Sequence, residues 1–193
     1  MVKMKKYIIT AVILGSIAMT SGLLIGATNL ITKGPIDEYK QQLINKGIKN
    51  IYSDYDYAHY AVGQDEDIKK DKKTNPYVNH IYYVYNGEDE NEENNTFVGY
   101  AFRTEGFNSY GKISLIVGFN VECKLINISV VTNEQSFAST LKRNYLIPLM
   151  NAEDKETQKG NVSCRATYGA KLVRDMIDNA QKQADLKKGN NNG

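Results

Sequence analysis

The feature that most constrains this chain is an uncharged run over residues 7–32, preceded by Lys3, Lys5 and Lys6 and closed by Lys33. As a helix rising ~1.5 Å per residue, such a run outspans the ~30 Å hydrocarbon core of a bilayer. It also exceeds the apolar stretch of about 7–15 residues usual in a cleaved signal peptide. Ser21-Gly22 and Gly26-Ala27 are small enough to be cut, but the length favours an anchor that stays. The lysines precede the run, and Asp37 and Glu38 come after it. The positive-inside bias then places the N-terminus in the cytoplasm and the chain beyond residue 33 outside. No Cys lies beside the segment to accept a lipid. The expected organisation is a membrane anchor over 1–33, one extracytoplasmic domain over 34–186, and a disordered polar tail over 187–193.

The chain beyond the anchor is about one domain in length. With 41% hydrophobic and 24% charged residues overall, the sequence has a globular balance and is long enough to bury a core without staples. Gly34-Pro35 predicts the start of a second helix, with Ile36, Tyr39, Leu43 and Ile44 as its apolar stripe and Gly47 as its stop. Residues 52–60 form a Tyr-rich stretch of weak pattern, and 64–75 read as a charged loop. Residues 77–85 (YVNHIYYVY), 97–104 (FVGYAFRT), 112–120 (KISLIVGFN) and 123–132 (CKLINISVVT) read as strands. Asn86-Gly87 and the acidic string through 95 read as a hairpin connection, and the short gap at 120–122 makes the last two strands an antiparallel hairpin.

A short helix is predicted over 136–147, stopped or kinked by Pro148, and then a loop over 151–160. In the last helix Val173, Met176, Ile177, Ala180 and Ala184 share one face. The fold class is α+β: a mostly antiparallel sheet with flanking helices behind an N-terminal transmembrane helix.

Charge is nearly balanced, 24 basic against 22 acidic residues, which excludes a nucleic-acid partner recognised through a broad basic face. Two Cys and two His exclude most zinc frameworks and cysteine-ligated iron–sulfur clusters. His59 and His80 have no Cys or carboxylate at ligand spacing and read as packing or surface residues. Cys123 and Cys164 have a compartment in which to pair, but nothing in their spacing says that they do. Tyr77, Tyr82, Tyr83, Tyr85 and Tyr100 suit a core or a sheet surface better than a ring pocket.

The informative place is the start of the last helix. Ser163 and Thr167 are residue types whose hydroxyls cap helices. The same start, with unpaired N–H groups and the positive end of the helix dipole, also suits a phosphate, to which Arg165 would add a charge-assisted contact. The residues alone leave both readings open.

Three blocks between residues 97 and 173 narrow the choice. They are VGYAFRTEGFNSYGKISLIVGFN (98–120), CKLINISVVTNEQ (123–135) and NVSCRATYGAKLV (161–173). The first two resemble the strand–turn–strand and the next strand of the FMN-binding domain family. Its best-known members are the G subunit of the Rnf electron-transport complex and the C subunit of the sodium-pumping NADH:quinone oxidoreductase. The third block is similar to the family's flavin-attachment signature, D-x-x-S-G-A-T-x-S/T-S-x-x-V. Asn161 falls on the Asp, Ala166 and Thr167 on the Ala-Thr pair, and Val173 on the final Val. The family members share this chain's layout of one anchor and one extracytoplasmic domain.

The resemblance implies a covalent FMN, joined through its phosphate to the Thr167 hydroxyl (phosphothreonyl-FMN) by a flavin transferase that draws on FAD. It implies cofactor contacts from Ser163, Cys164, Arg165, Ala166, Thr167, Tyr168 and Glu134. Membrane lipid and membrane-bound electron-transport subunits are the implied partners, and the role is electron relay within an oxidoreductase complex rather than stand-alone catalysis. A tether suits the compartment, because a cofactor held at micromolar Kd has only about 8 kcal/mol of binding energy and is lost to dilution. The chain departs from the family where Cys164-Arg165 replaces Ser-Gly, where Gly169-Ala170 replaces hydroxyl residues, and where residues 134–139 (EQSFAS) replace E-T-P-G-L-G. Two other readings stay open: a stand-alone extracytoplasmic flavin reductase or shuttle, and a flavin-free structural or docking domain.

Overall fold

In the N-terminal unit, residues 1–43, the apolar side chains have no core to enter: Val12, Leu14, Ile17, Leu23 and Leu30 are all exposed. They lie on helix α1 (Val2–Ile51), which from Ile9 onward is long and apolar enough to cross a membrane. Its hydroxyls turn inward, with Ser16, Thr20, Ser21, Thr28 and Thr32 each donating to the carbonyl four residues back at 2.8 Å. That pattern satisfies polar groups without water. The computed structural model describes residues 2–53, 58–60, 66–67, 73–86 and 96–190. The proposed hairpin connection over 87–95 lies outside them, as do parts of the stretches over 52–60 and 64–75.

Helix α1 corrects two expectations. Gly34-Pro35 does not begin a new helix: Pro35 lies inside α1, where it deletes one backbone bond but keeps a helical φ. Gly47 does not end it either. A Cβ there would meet Ser129 Oγ at 3.2 Å and Ile116 Cγ1 at 3.3 Å, so this glycine serves close packing rather than a helix stop. The buried stripe also starts later than its pattern suggested. Ile36 and Tyr39 are exposed, whereas Ile44, Ile48 and Ile51 are buried.

The compact unit, residues 44–193, is built on one antiparallel sheet. Its strands are β1 (Ala58–Tyr60), β2 (Glu66–Asp67), β3 (Val78–Asn86), β4 (Thr96–Asn108), β5 (Gly111–Asn120) and β6 (Leu125–Asn133). The order is β1-β3-β4-β5-β6, with β2 also paired to β3. Register is set by pairs such as Tyr100 with Phe119 and Val117 with Ile128. The β5–β6 hairpin forms as expected. Its turn puts Cys123 at φ 62°, a left-handed conformation, while Asn120 Oδ1 accepts from Glu122 and Lys124 N–H at 3.0 and 2.8 Å.

β4 and β5 read as nearly continuous apolar runs because both sheet faces are covered. On one face Ile113, Leu115, Val117 and Phe119 pack with Val173, Met176, Ile177, Ala180 and Ala184 of helix α5 (Thr167–Asn190), the stripe read from sequence. On the other, Ile44, Ile48, Ile51 and Tyr52 pack with Tyr82, Val84, Ala101 and Ile116. A Cβ on Gly118 would lie 2.3 Å from Ile51 Cγ2, so glycine lets the end of α1 seat there. The Tyr52 hydroxyl lies 2.7 Å from the Tyr100 carbonyl and 3.0 Å from that of Phe119.

Between β6 and α5 the chain differs from expectation. The predicted short helix is split into α2 (Ala138–Leu141), a π-helical turn over Lys142–Leu146, and α3 (Ile147–Asn151). Pro148 therefore opens a helical segment instead of ending one, because the wider turn in front of it absorbs the missing N–H. The predicted loop contains α4 (Lys155–Gly160), capped by Asp154, whose carboxylate accepts from Thr157 N–H at 3.0 Å and Thr157 Oγ1 at 2.6 Å.

At the far end, α5 continues through Asn190, so Lys187 and Lys188 belong to its last turn, where cations suit the helix dipole, rather than to a tail. Residues 191–193 lie outside the described residues. Cys123 and Cys164 are both free thiols. Cys123 Sγ meets the Ala184 carbonyl at 3.3 Å, while Cys164 precedes the start of α5, roughly 25 Å of helix away.

Candidate functional site

The start of α5 opens into a cavity of about 240 Å³, walled by three stretches of chain distant in sequence. Each is placed by a local device. In the β4–β5 turn, Asn108 Oδ1 accepts from Tyr110 N–H at 2.9 Å and aims the Tyr110 ring toward α5. Gly111 comes next at φ +130°, and a Cβ there would lie 2.2 Å from the Glu134 carbonyl. Only glycine lets this turn lie against the segment after β6.

That second segment is tied to the turn by Ser136 N–H to Tyr110 O (2.7 Å), by Glu134 N–H to Lys112 O (2.8 Å), and by the Gln135 side-chain amide donating to Gly111 O. The third is the first turn of α5. Its carbonyl at Tyr168 accepts from Asn108 Nδ2 at 3.3 Å, closing the ring of contacts.

Three aromatic side chains frame the mouth. Tyr110 and Tyr168 lie nearly parallel, with ring centroids 5.4 Å apart and planes at 30°, and Phe137 stands 5.9 Å from Tyr110 at 56°. Tyr168 is 65% and Phe137 54% exposed, so two large rings are left uncovered beside a hollow. Leu141 and Ala166, both buried, form part of the wall. Among the described residues Arg165 is the one charged group lining the cavity, and it carries no carboxylate partner there. The first i→i−4 bond of α5 runs from Ala170 N–H to Ala166 O, so the amides of Tyr168 and Gly169 precede the ladder. A partly apolar cavity with one guanidinium and a helix start can take a small molecule that bears an anionic group.

The residues nominated from sequence divide here. Arg165, Ala166, Thr167 and Tyr168 line the cavity. Thr167 is half-buried, and its hydroxyl donates to the Cys164 carbonyl rather than accepting an amide as a helix cap would. Cys164 contributes that carbonyl while its side chain packs against the main core. Ser163 and Glu134 are exposed and do not line this cavity, Glu134 taking part through its backbone.

Gln135, next to Glu134, is buried and lines the cavity. The signal was strand parity: past β6 alternate residues change face, so when residue 134 points out, 135 points in. Tyr110, Phe137, Leu141 and Gly169 complete the lining and were not nominated. None of Tyr77, Tyr82, Tyr83, Tyr85 and Tyr100 reaches it; Tyr82 and Tyr100 are core residues.

The segment leading into Thr167 is anchored from behind. The Tyr145 hydroxyl, pushed upward in pKa by burial, donates to Lys159 O at 2.7 Å. Lys159 Nζ bridges Glu156 at 2.6 Å and Asp178 of α5 at 2.8 Å. Burial pulls the Lys159 ammonium down, but those two hydrogen bonds outweigh it and hold the group above its ordinary value. A larger hollow of about 590 Å³ beside Cys123 and α4 mixes lysines with carboxylates, and no buried unpartnered polar atom belongs to its lining. No protein-family model matches this chain, and no curated protein matches it in sequence.

Proposed function

We propose that this chain is a membrane-anchored extracytoplasmic flavoprotein subunit, carrying FMN through a phosphodiester to Thr167 and relaying electrons within a membrane redox complex. The observation that carries the reading is the cavity itself. Thr167, singled out by the attachment signature, lines a hollow whose other walls come from the turn of the first similar block and the loop after the second. The apolar helix α1 supports the anchor, and its leading lysines support a cytoplasmic N-terminus.

The departures from the signature fit the backbone. The signature's glycine is Arg165 here, and among described non-glycine residues only Cys123 has positive φ. Position 165 therefore needs no glycine, and its guanidinium is free to face a phosphate. Gly169 stands where the signature has a hydroxyl residue, and a Cβ there would lie 2.9 Å from Leu141 Cδ2, so Leu141 packs where a side chain at 169 would begin. Attachment consumes the Thr167 O–H: its oxygen bonds to the FMN phosphorus of FAD, AMP departs, and the proton is released. The hydrogen bond to the Cys164 carbonyl is given up in the process.

The isoalloxazine supplies the reversible redox chemistry. Arg165 and the start of α5 would hold the phosphate, and the apolar lining would limit its exposure to water. At about 240 Å³ the cavity is below the ~300–1,000 Å³ that encloses most of a drug-sized ligand, so a covalent tether would offset weak enclosure.

The test is the intact mass of the full-length protein, purified from membranes of cells that contain the flavin transferase. Wild type should carry one FMN adduct that survives denaturation, and Thr167→Val should lack it while keeping its fold. A colourless, unmodified wild type overturns the reading. It would leave Thr167 as a helix-start residue bonded to Cys164 O and the domain as a docking module.

A further inference from the structure

The two edges of the sheet are built differently. At one edge β1 and β2 are three and two residues long, the short form in which natural sheets limit unpaired backbone. At the other, β6 runs for nine residues, LINISVVTN, with no charge and no proline to discourage pairing. Among the described residues no strand pairs with its outer side. Its register irregularities fall at Ile126 and Val131, leaving 127–130 as a regular run with an open row of N–H and C=O groups.

Two hollows lie along this edge. One of about 390 Å³ touches Ser129 and Val130 and faces Leu146 and Met150. The other, the hollow of about 590 Å³ beside α4, touches Leu125 and Ile126 and faces Glu153. Neighbouring residues of a strand point to opposite faces, so a hollow touching both members of a pair opens at the edge and not over a face. The opposing wall is the π-helical turn, both ends of which line the first hollow, continued by α3 and the start of α4. A strip between a free strand edge and a helical wall is the setting in which an extended peptide adds to a sheet. We infer that β6 is a docking edge for one extended segment of a partner chain, which joins the sheet as a further antiparallel strand. A second copy fits less well: antiparallel β6–β6 pairing sets equivalent faces on the same side and brings both helical walls into one strip.

The hollows specify the partner's side chains. Val130 and Leu125 both pack toward the α5 face and sit opposite Leu115 and Phe119, four ladder positions apart. Ligand residues four apart share a face, so one enters each hollow. The hollow at Val130, Leu146 and Met150 takes an aliphatic side chain, and Lys142 in its lining disfavours a cation there. The other takes a cation. Lys155 spends its ammonium on Met150 O (3.2 Å) and Ala152 O (2.7 Å), and Lys124 pairs with Glu122 at 3.0 Å. Glu153 is exposed and has no cationic partner among the described residues. In the antiparallel sense the motif is aliphatic-x-x-x-basic.

The experiment is fluorescence anisotropy with the full-length protein in detergent. The probe is the dye-labelled peptide TITVTKT, which carries the aliphatic and basic residues at that spacing. Saturable binding is expected. N-methylation of alternate amides along one edge of the peptide should weaken it roughly tenfold, and along the other edge should change little, because only one edge bonds to β6. Glu153→Lys, at an exposed position that leaves the fold intact, should weaken TITVTKT and favour TITVTET instead. Absence of saturable binding, equal sensitivity to methylation at both edges, or a Glu153→Lys protein with unchanged preference overturns the proposal. A dimer that the peptide does not dissociate assigns the edge to a second copy and overturns it as well.

Discussion

Helix α5 meets the sheet at both ends with small residues, and the two ends do opposite things. At its C-terminal end Ala180 and Ala184 are fully buried. Cys123 Sγ reaches the Ala184 carbonyl at 3.3 Å, Gln181 Nε2 donates to Cys123 O at 2.7 Å, and Lys188 Nζ lies 3.4 Å from Glu122 O. The β5–β6 turn is sealed onto the helix so firmly that Cys123 is held at positive φ without being glycine. At the N-terminal end Ala166 and Gly169 permit an equally close approach, but Tyr110, Phe137 and Tyr168 prop the walls apart and a cavity remains. Small residues on a helix thus bring surfaces together. Whether the junction is structure or site depends on what the opposing loop carries.

This contrast can be broken or sharpened by substitution. The largest effect belongs to the shared middle. Ile177→Ala empties a fully buried position between the two ends and should cost ~2–5 kcal/mol in denaturant unfolding, weakening both ends together. Independent melting of the two ends would show that α5 is not one cooperative element. Next comes the sealed end, where Ala184→Leu has no space to enter and should cost ~1–3 kcal/mol while leaving the proposed modification of Thr167 at its wild-type level.

The smallest effect is on pH. The Lys159 ammonium is held above its ordinary value of 10.5 by Asp178 and Glu156, so its contribution is complete below that value and fades as pH rises through the folded-state pKa. Amide exchange in α4 and over 161–166 should therefore quicken under strongly alkaline conditions and not between neutrality and pH 10. Because its partners Asp178 and Glu156 are exposed, screening keeps this contribution modest.

How much of this was legible in the sequence depends on the range of each interaction. The face of α5 and the four strands from β3 to β6 were readable because burial imposes periods of 3.6 and 2 on neighbouring residues. Helix α1 was misread at Gly34-Pro35 and Gly47 because both residues have two structural uses. Which use applies at Gly47 is decided by Ser129 and Ile116, far away in the chain. Helix α4 was missed although Asp154 and Thr157 spell out its cap, since six residues give too short a stripe to recognise. At the site, the stretch around Thr167 was found by resemblance, but the cavity's other walls depend on Gly111 fitting against Glu134 O and on the parity of Gln135. Neither is local, and neither is visible before the strands are paired.

The most direct measurement of the central claim is mass spectrometry of the proteolytic peptide spanning residues 166–171 from natively grown membranes. This peptide should carry riboflavin 5′-phosphate in ester linkage at Thr167, with fragment ions placing the adduct on that residue. Recovery of the same peptide wholly unmodified, from cells whose transferase modifies other proteins, would contradict it.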